Sequence, residues 1–360
     1  MTKRRKFLQG LTTLSSLSLA SCGWKLANVR AASGSGRSDE LYIYTWTQYA
    51  DKELLQTFSA QTGMKVLVDT YDSNEVMLAK LLAGGGGSYS LVYPSDYMVQ
   101  KMIDKNLLIE LKHDRLIGLD NLFPQFKNPS YDLNNRYSIP FNWGTTGLIY
   151  NSEIIKDAPT DWEYLWQNQE LLNQKITLLN DVREVMGAVL RMLGYSYNSK
   201  NETEIKEAYE KLTILKKSIR AFDTDAWQNQ ILAGDLVLAM CYSADAIRVI
   251  KENPKLKYVI PRSGSSLWTD TIVILKSVPN LDGAYAWLNF MLQPEVAAMV
   301  GQQMSVSTPN SAGFEQLPKN IKNNVNLFPP AALLEKCERI APLGEFEDVY
   351  ERYWTQLTSS

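Results

Sequence analysis

Two carboxylates one helical turn apart, Asp181 and Glu184, and a third beside an indole, Asp270 after Trp268, are the side chains best suited to chemistry. Such a set can hold protonated amines, because carboxylates accept charge-assisted hydrogen bonds and aromatic faces attract cations. It can also be read as the acid and nucleophile of a carbohydrate hydrolase with tryptophans as sugar platforms. A third reading is purely structural. Asn180-Asp181-Val182-Arg183-Glu184 has the spacing of a capping box, which alone would account for both acids. Rings and hydroxyls recur in Trp46-Thr47-Gln48-Tyr49, in Pro94-Ser95-Asp96-Tyr97 and at Tyr242. Each has a plain alternative, as the edge of a core or a Pro-led turn. The single His113 excludes metal sites built on several histidines and leaves little room for histidine-based catalysis. Gly84-Gly85-Gly86-Gly87 lacks the Lys-Ser/Thr ending of a phosphate loop and reads as a permissive turn.

These residues fall just after short apolar runs, which is where ligands bind in open α/β sheets. Strands are expected at residues 41–46, 65–71, 89–94, 175–179, 236–242, 257–261 and 271–275, the last placing Trp268-Thr269-Asp270 immediately before its strand. Helices are expected at 51–62, stopped by Gly63, and at 185–193, 203–219 and 282–292, the last ended by Pro294. The alternation predicts an α/β fold with mainly parallel sheets, and the length predicts two of them.

The N-terminus sets the compartment. Lys3-Arg4-Arg5-Lys6 precedes an apolar, Ser-rich run too short and too hydroxylated to span a bilayer, so residues 1–21 read as a cleaved export signal. Leu19-Ala20-Ser21-Cys22 resembles a bacterial lipobox, making Cys22 the lipidation site, with 22–39 as a flexible tether. Arg4-Arg5 resembles a twin-arginine signal, a pair that ordinary secretory signals also carry. Removing the four basic residues takes the formal charge from −2 to −6, which disfavours nucleic acid as a partner. Only Cys241 and Cys337 then remain as free thiols, so no disulfide framework is available; one bridge between them stays open, although Cys241 sits in an apolar run that suits a buried thiol.

Taken in order from Leu41 to Leu357, these segments resemble the periplasmic spermidine/putrescine-binding proteins of bacterial ABC importers. The likeness rests on Tyr44-Thr45-Trp46-Thr47-Gln48-Tyr49, Thr70-Tyr71-Asp72-Ser73-Asn74-Glu75, Pro94-Ser95-Asp96-Tyr97, Tyr137-Ser138-Ile139-Pro140, Asn180-Asp181-Val182-Arg183-Glu184-Val185, Trp268-Thr269-Asp270 and Thr308-Pro309-Asn310. The resemblance implies a two-lobed periplasmic-binding-protein fold, with lobes of 40–144 plus 269–314 and 145–268 plus 315–360 joined by crossing hinge segments. It implies a polyamine ligand, an ABC permease as partner, attachment to the membrane through lipid only, a monomer, no cofactor and no catalysis. The implied contacts are Trp46, Thr47, Tyr49, Ser95, Tyr97, Asp181, Glu184, Trp268 and Asp270, with Tyr242 where the family has a Trp. Gln48 replaces an acid common in the family, Val306 replaces an aromatic, and Glu338 is a candidate for a C-terminal polar contact. A ferric-ion receptor of the same fold is a rival, weakened by interleaved tryptophans that offer ring faces rather than ligands. A structural lipoprotein would bind no small ligand.

Overall fold

In the computed structural model, residues 39–359 are described; the export signal, Cys22 and nearly all of the tether lie outside them. Strands β1 (Glu40–Trp46) and β2 (Lys65–Tyr71) pair in parallel from Glu40↔Lys65 to Trp46↔Tyr71, across helix Lys52–Thr62. The helix starts where Asp51 accepts from the Leu54 N–H at 2.9 Å, and it ends at Gly63, whose φ of 75° suits a residue without a Cβ. Leu54 and Phe58, one turn apart, form its buried face, with the Phe58 ring 4.8 Å from that of Trp287.

β3 (Leu91–Val92) continues the parallel set beside β1, and then β9 (Leu267–Ile274) and β4 (Ser138–Asn151) join it antiparallel. The fourteen residues of β4 connect the two halves of the protein. Residues 138–145 pair with β9, whereas Thr146–Tyr150 pairs with β7 (Leu238–Tyr242) and 148–151 with β8 (Leu256–Val259). β5 (Ile176–Leu178) and β6 (Ile219–Phe222) complete the far side in parallel with β7. Period-two alternation then fills cores on both faces. In the first half Ile43 and Ile272 enter one core while Tyr44 and Val273 enter another; in the second half Leu148 and Ile149 divide in the same way.

The sheets are therefore mixed rather than mainly parallel, because β4 and β9 run against their neighbours. β4 is not among the strands expected from the sequence, and it contains Pro140, Gly144 and Gly147. Pro140 sits at a bulge, and the glycines admit bulky neighbours: a Cβ on Gly147 would lie 2.6 Å from the Tyr258 hydroxyl. The expected helix 203–219 is helix Glu202–Leu215, a 3₁₀ turn and then β6, so Ile219 pairs with Ile176 instead of closing a helical face. The expected strand 89–94 keeps only two strand residues, yet the N–H groups of Ser90 and Tyr93 still donate to Tyr42 and Tyr44 carbonyls. Both cysteines are free, Cys241 fully buried and Cys337 packed against the same core.

Candidate functional site

Two pairs of parallel strands, β1 with β3 and β5 with β7, end around one cavity of about 740 Å³. Trp46 closes β1 and Thr47–Tyr49 forms the 3₁₀ turn after it; Ser95 and Tyr97 follow β3; Asp181 follows β5; and Tyr242 closes β7. Trp268 and Asp270 lie inside β9 and not before it, because the strand begins at Leu267; Asp270 thereby faces Asn142 of β4 and bridges Ser95. All ten residues singled out from the sequence line this cavity, together with Gln48 and Val306. Glu338 does not. It accepts from Arg191 Nη1 at 2.9 Å and Ser196 Oγ at 2.6 Å instead, a structural ion pair.

Charge decides what the cavity can hold. Twelve acidic residues line it against three basic ones, Lys101, Arg183 and Arg248. Each base is committed: Lys101 to Glu347 at 2.9 Å, Arg248 to Asp245, and Arg183 to the Ala341 carbonyl at 3.0 Å and Asn198 Oδ1 at 2.8 Å. The three central carboxylates are held by hydroxyls and backbone amides. Asp270 accepts from the Tyr49 hydroxyl at 2.5 Å and Ser95 Oγ at 2.7 Å. Burial pushes its pKa up to about 6 even so. Asp181 caps helix Val182–Met192, accepting from the N–H groups of Arg183 at 2.8 Å and Glu184 at 3.1 Å. Its pKa is also raised by burial, against the lowering effect of those amides.

Glu184 departs from the capping box. Its carboxylate turns away from the helix start to accept from the Tyr197 hydroxyl at 2.8 Å and Ser266 Oγ at 2.9 Å. Burial first, and the neighbouring Asp181 second, raise its pKa to about 8. Aromatic rings line the same cavity: Tyr242 and Trp268 meet edge-to-face at 5.8 Å, and Trp46 is fixed by a 2.8 Å bond from its indole to the Tyr93 carbonyl. The arrangement sets several carboxylates beside flat apolar walls, suited to a slender cation with more than one charge.

Residues 53–329 match the family model of the bacterial extracellular solute-binding proteins. The chain belongs to this family. It is similar to the spermidine/putrescine-binding periplasmic protein of Salmonella typhimurium, 35% identical over 333 residues, which is 92% of this chain and 95% of that protein. The crystal structure of a spermidine/putrescine ABC transporter substrate-binding protein from Streptococcus pneumoniae superposes with a TM-score of 0.80 at 36% identity, covering 89% of this chain and 99% of that one. A lipoprotein of Treponema pallidum gives a TM-score of 0.80 at 27% identity over 89% of this chain and all of its own. The fold is thus that of the two-lobed periplasmic binding proteins, the family is extracytoplasmic, and the Salmonella and Streptococcus relatives are a spermidine/putrescine-binding protein and an ABC transporter substrate-binding protein. Among the described residues no helix is long and apolar enough to cross a membrane.

Within this solute-binding fold several cavity residues escaped the sequence reading. Glu75 accepts from the Tyr97 hydroxyl at 3.0 Å, and its pKa is raised by burial and then by Asp181. Asp245, raised to about 6 by burial, and Asp225, bonded by Gln48 Nε2 at 3.3 Å, sit farther along. The rule used for the other sites would have found Glu75 and Asp245, since Glu75 follows β2 and Asp245 follows β7. Gly144 has a role of its own. It opposes Trp268 in the β4–β9 ladder, where a Cβ would lie 2.3 Å from the indole. Gly144→Ala should displace that wall at a cost of about 1–3 kcal/mol. The expected result is a lower melting temperature together with a loss of ligand affinity of roughly tenfold, read by thermal melting and titration.

Proposed function

We propose that this chain is the polyamine receptor of an ABC importer, binding spermidine or putrescine outside the cytoplasm and delivering it to a membrane permease. One observation carries this reading: Asp181 and Glu184 from one helix start and Asp270 from β9, two stretches far apart in the chain, line a single cavity together with Trp46, Tyr242 and Trp268. A polyamine is a methylene chain carrying ammonium groups. Each hydrogen bond to a charged group contributes ~1.5–3 kcal/mol and each cation over a ring ~0.5–2, so a few of each reach the ~8 kcal/mol of micromolar binding. The named ligands of the relatives agree with this.

The protein performs no reaction. Against a hydrolase, Asp181 serves as the cap of helix Val182–Met192, and this structural role accounts for its spacing from Glu184 without an acid and nucleophile pair. The ferric-ion alternative is disfavoured by the indoles of Trp46 and Trp268 in the cavity wall, because a metal needs ligand atoms rather than ring faces. Lobes of 40–144 plus 269–314 and 145–268 plus 315–360 close on the amine by hinging where β4 changes partners, at residues 145 and 146. The chain acts as a monomer. Lipid on Cys22 keeps it near the permease. Calorimetric titration with putrescine, spermidine, spermine and Fe(III) tests the assignment. Micromolar or tighter binding of an amine is expected, and a folded protein that gives no heat with any amine would refute it.

A further inference from the structure

Residues 338–341 pass behind the cavity as a short extended segment held by both halves of the fold. Its main chain pairs with the stretch leading into β9: Glu338 N–H donates to the Ser265 carbonyl and Leu267 N–H to the Glu338 carbonyl, both at 2.9 Å. On one side the helix capped by Asp181 and the turn after it grip the segment. Arg191 binds Glu338 at 2.9 Å, Asn198 binds the Arg339 carbonyl at 2.8 Å and the Ala341 N–H at 2.7 Å, and Arg183 binds the Ala341 carbonyl at 3.0 Å. The side chain of Arg339 goes to the other side. Its Nη1 donates to Asp96 Oδ2 at 2.8 Å and to Thr269 Oγ1 at 2.6 Å, with the guanidinium 5.9 Å from the ring centres of Phe126 and Tyr131. Asp96 is almost wholly buried and also accepts from the Tyr97 N–H at 2.9 Å.

Of the two residues that Arg339 grips, Asp96 lines the cavity itself between Ser95 and Tyr97, and Thr269 is flanked by the cavity residues Trp268 and Asp270. Arg339 itself does not face the cavity, whereas its neighbour Ile340 does. We infer that Arg339 is a positioning residue for cation binding, tying the 95–97 turn and the 268–270 stretch to a segment anchored beside Asp181 and Glu184. The separation between the carboxylate stations is thereby fixed by a group that never touches the ligand. A guanidinium suits this task because the two N–H groups of its planar Nη1 point in fixed directions, one to a carboxylate and one to a hydroxyl; a lysine ammonium is a point charge on a flexible stem. The inference rests on the amine-receptor reading for its ligand.

Removing Arg339 alone would leave Asp96 buried without its partner and would confuse position with stability. The decisive variant is therefore Arg339→Met combined with Asp96→Asn, and because Asp96 lines the cavity its affinity and resonance are compared with those of Asp96→Asn alone. Two readouts are used: spermidine titration, and the ¹⁹F resonance of 5-fluorotryptophan at Trp268 in the ligand-free protein, assigned with Trp268→Phe. The expected result is a folded protein with at least tenfold weaker binding and a shifted Trp268 resonance, with Arg339→Lys recovering part of both. Retained affinity or an unmoved resonance in the double variant overturns the inference. If that variant does not fold, Thr269→Val removes one tie without burying a charge and is judged by the same two criteria. Should the unaltered protein bind no amine, the receptor reading falls while the resonance still decides the role of Arg339.

Discussion

Asp270→Asn should abolish most amine binding while leaving the empty protein at least as stable as before. The carboxylate is almost fully buried, and among the described residues it accepts from the Tyr49 and Ser95 hydroxyls at 2.5 and 2.7 Å. An amide oxygen can accept from the same hydroxyls, so the local geometry survives the change. The negative charge does not. A buried ammonium that loses its counter-charge costs about 2–5 kcal/mol, so spermidine affinity should fall by roughly two to three orders of magnitude. Thr47→Ala should cost far less, because a neutral hydrogen bond contributes only ~0.5–1.5 kcal/mol net. The stability effect has the opposite sign, since burial already disfavours the charged form of Asp270 and raises its pKa to about 6. Removing that strained charge should hold or raise the melting temperature, the usual trade between a binding site and its fold. Titration and thermal melting on the same preparation check both effects, and affinity within threefold of the unaltered protein would rule out Asp270 as an ammonium ligand.

What could be read from the sequence follows from which forces act locally. Helix Lys52–Thr62 was legible to within a residue because its signals are adjacent in the chain: an Asp cap, a periodic apolar face and a stopping glycine. The site was legible because one topological rule, residues after strand ends, selects Trp46, Tyr49, Ser95, Asp181 and Tyr242 without any tertiary knowledge. β4 was not legible. Its glycines are selected by the bulk of Trp268 and Tyr258 across the ladder, a pressure invisible in one stretch of chain. The antiparallel centre of the sheet followed from the same omission. Asp270 illustrates both sides of this: its role was inferred from the Trp beside it, yet its placement inside β9 depends on the pairing with Asn142. Glu184 illustrates the limit of a local motif, because Tyr197 and Ser266 outcompete the helix start for its carboxylate.

Ligand binding should release protons, and affinity should rise with pH between about 5 and 8. In the empty protein Glu184 is raised to about 8 and Asp270 to about 6, while Asp181 is raised by burial against the pull of its capping amides and of Arg183. The sign follows from linkage. A carboxyl with a folded pKa above its unfolded value binds its proton more tightly when folded, so its contribution to stability is full below the unfolded pKa and is lost as pH rises through the folded one. For Asp270 that loss is complete a little above pH 6, and for Glu184 only above about 8. The ligand-free protein should therefore melt at a lower temperature at pH 8 than at pH 5. A protonated amine reverses the preference, because it pairs with the ionised carboxylates and must displace their protons to do so. Each proton released makes affinity rise by up to about tenfold per pH unit, so spermidine should bind at least ten times more tightly at pH 8 than at pH 5, and the ligand-induced rise in melting temperature should widen over the same interval. Calorimetry at pH 7 in buffers of different ionisation enthalpy counts the protons directly, with Glu184→Gln expected to lower the count. Identical heats in phosphate and Tris would mean that the acids are already ionised before the ligand arrives, and the cavity would then be a fixed negative trap rather than one charged by its own guest.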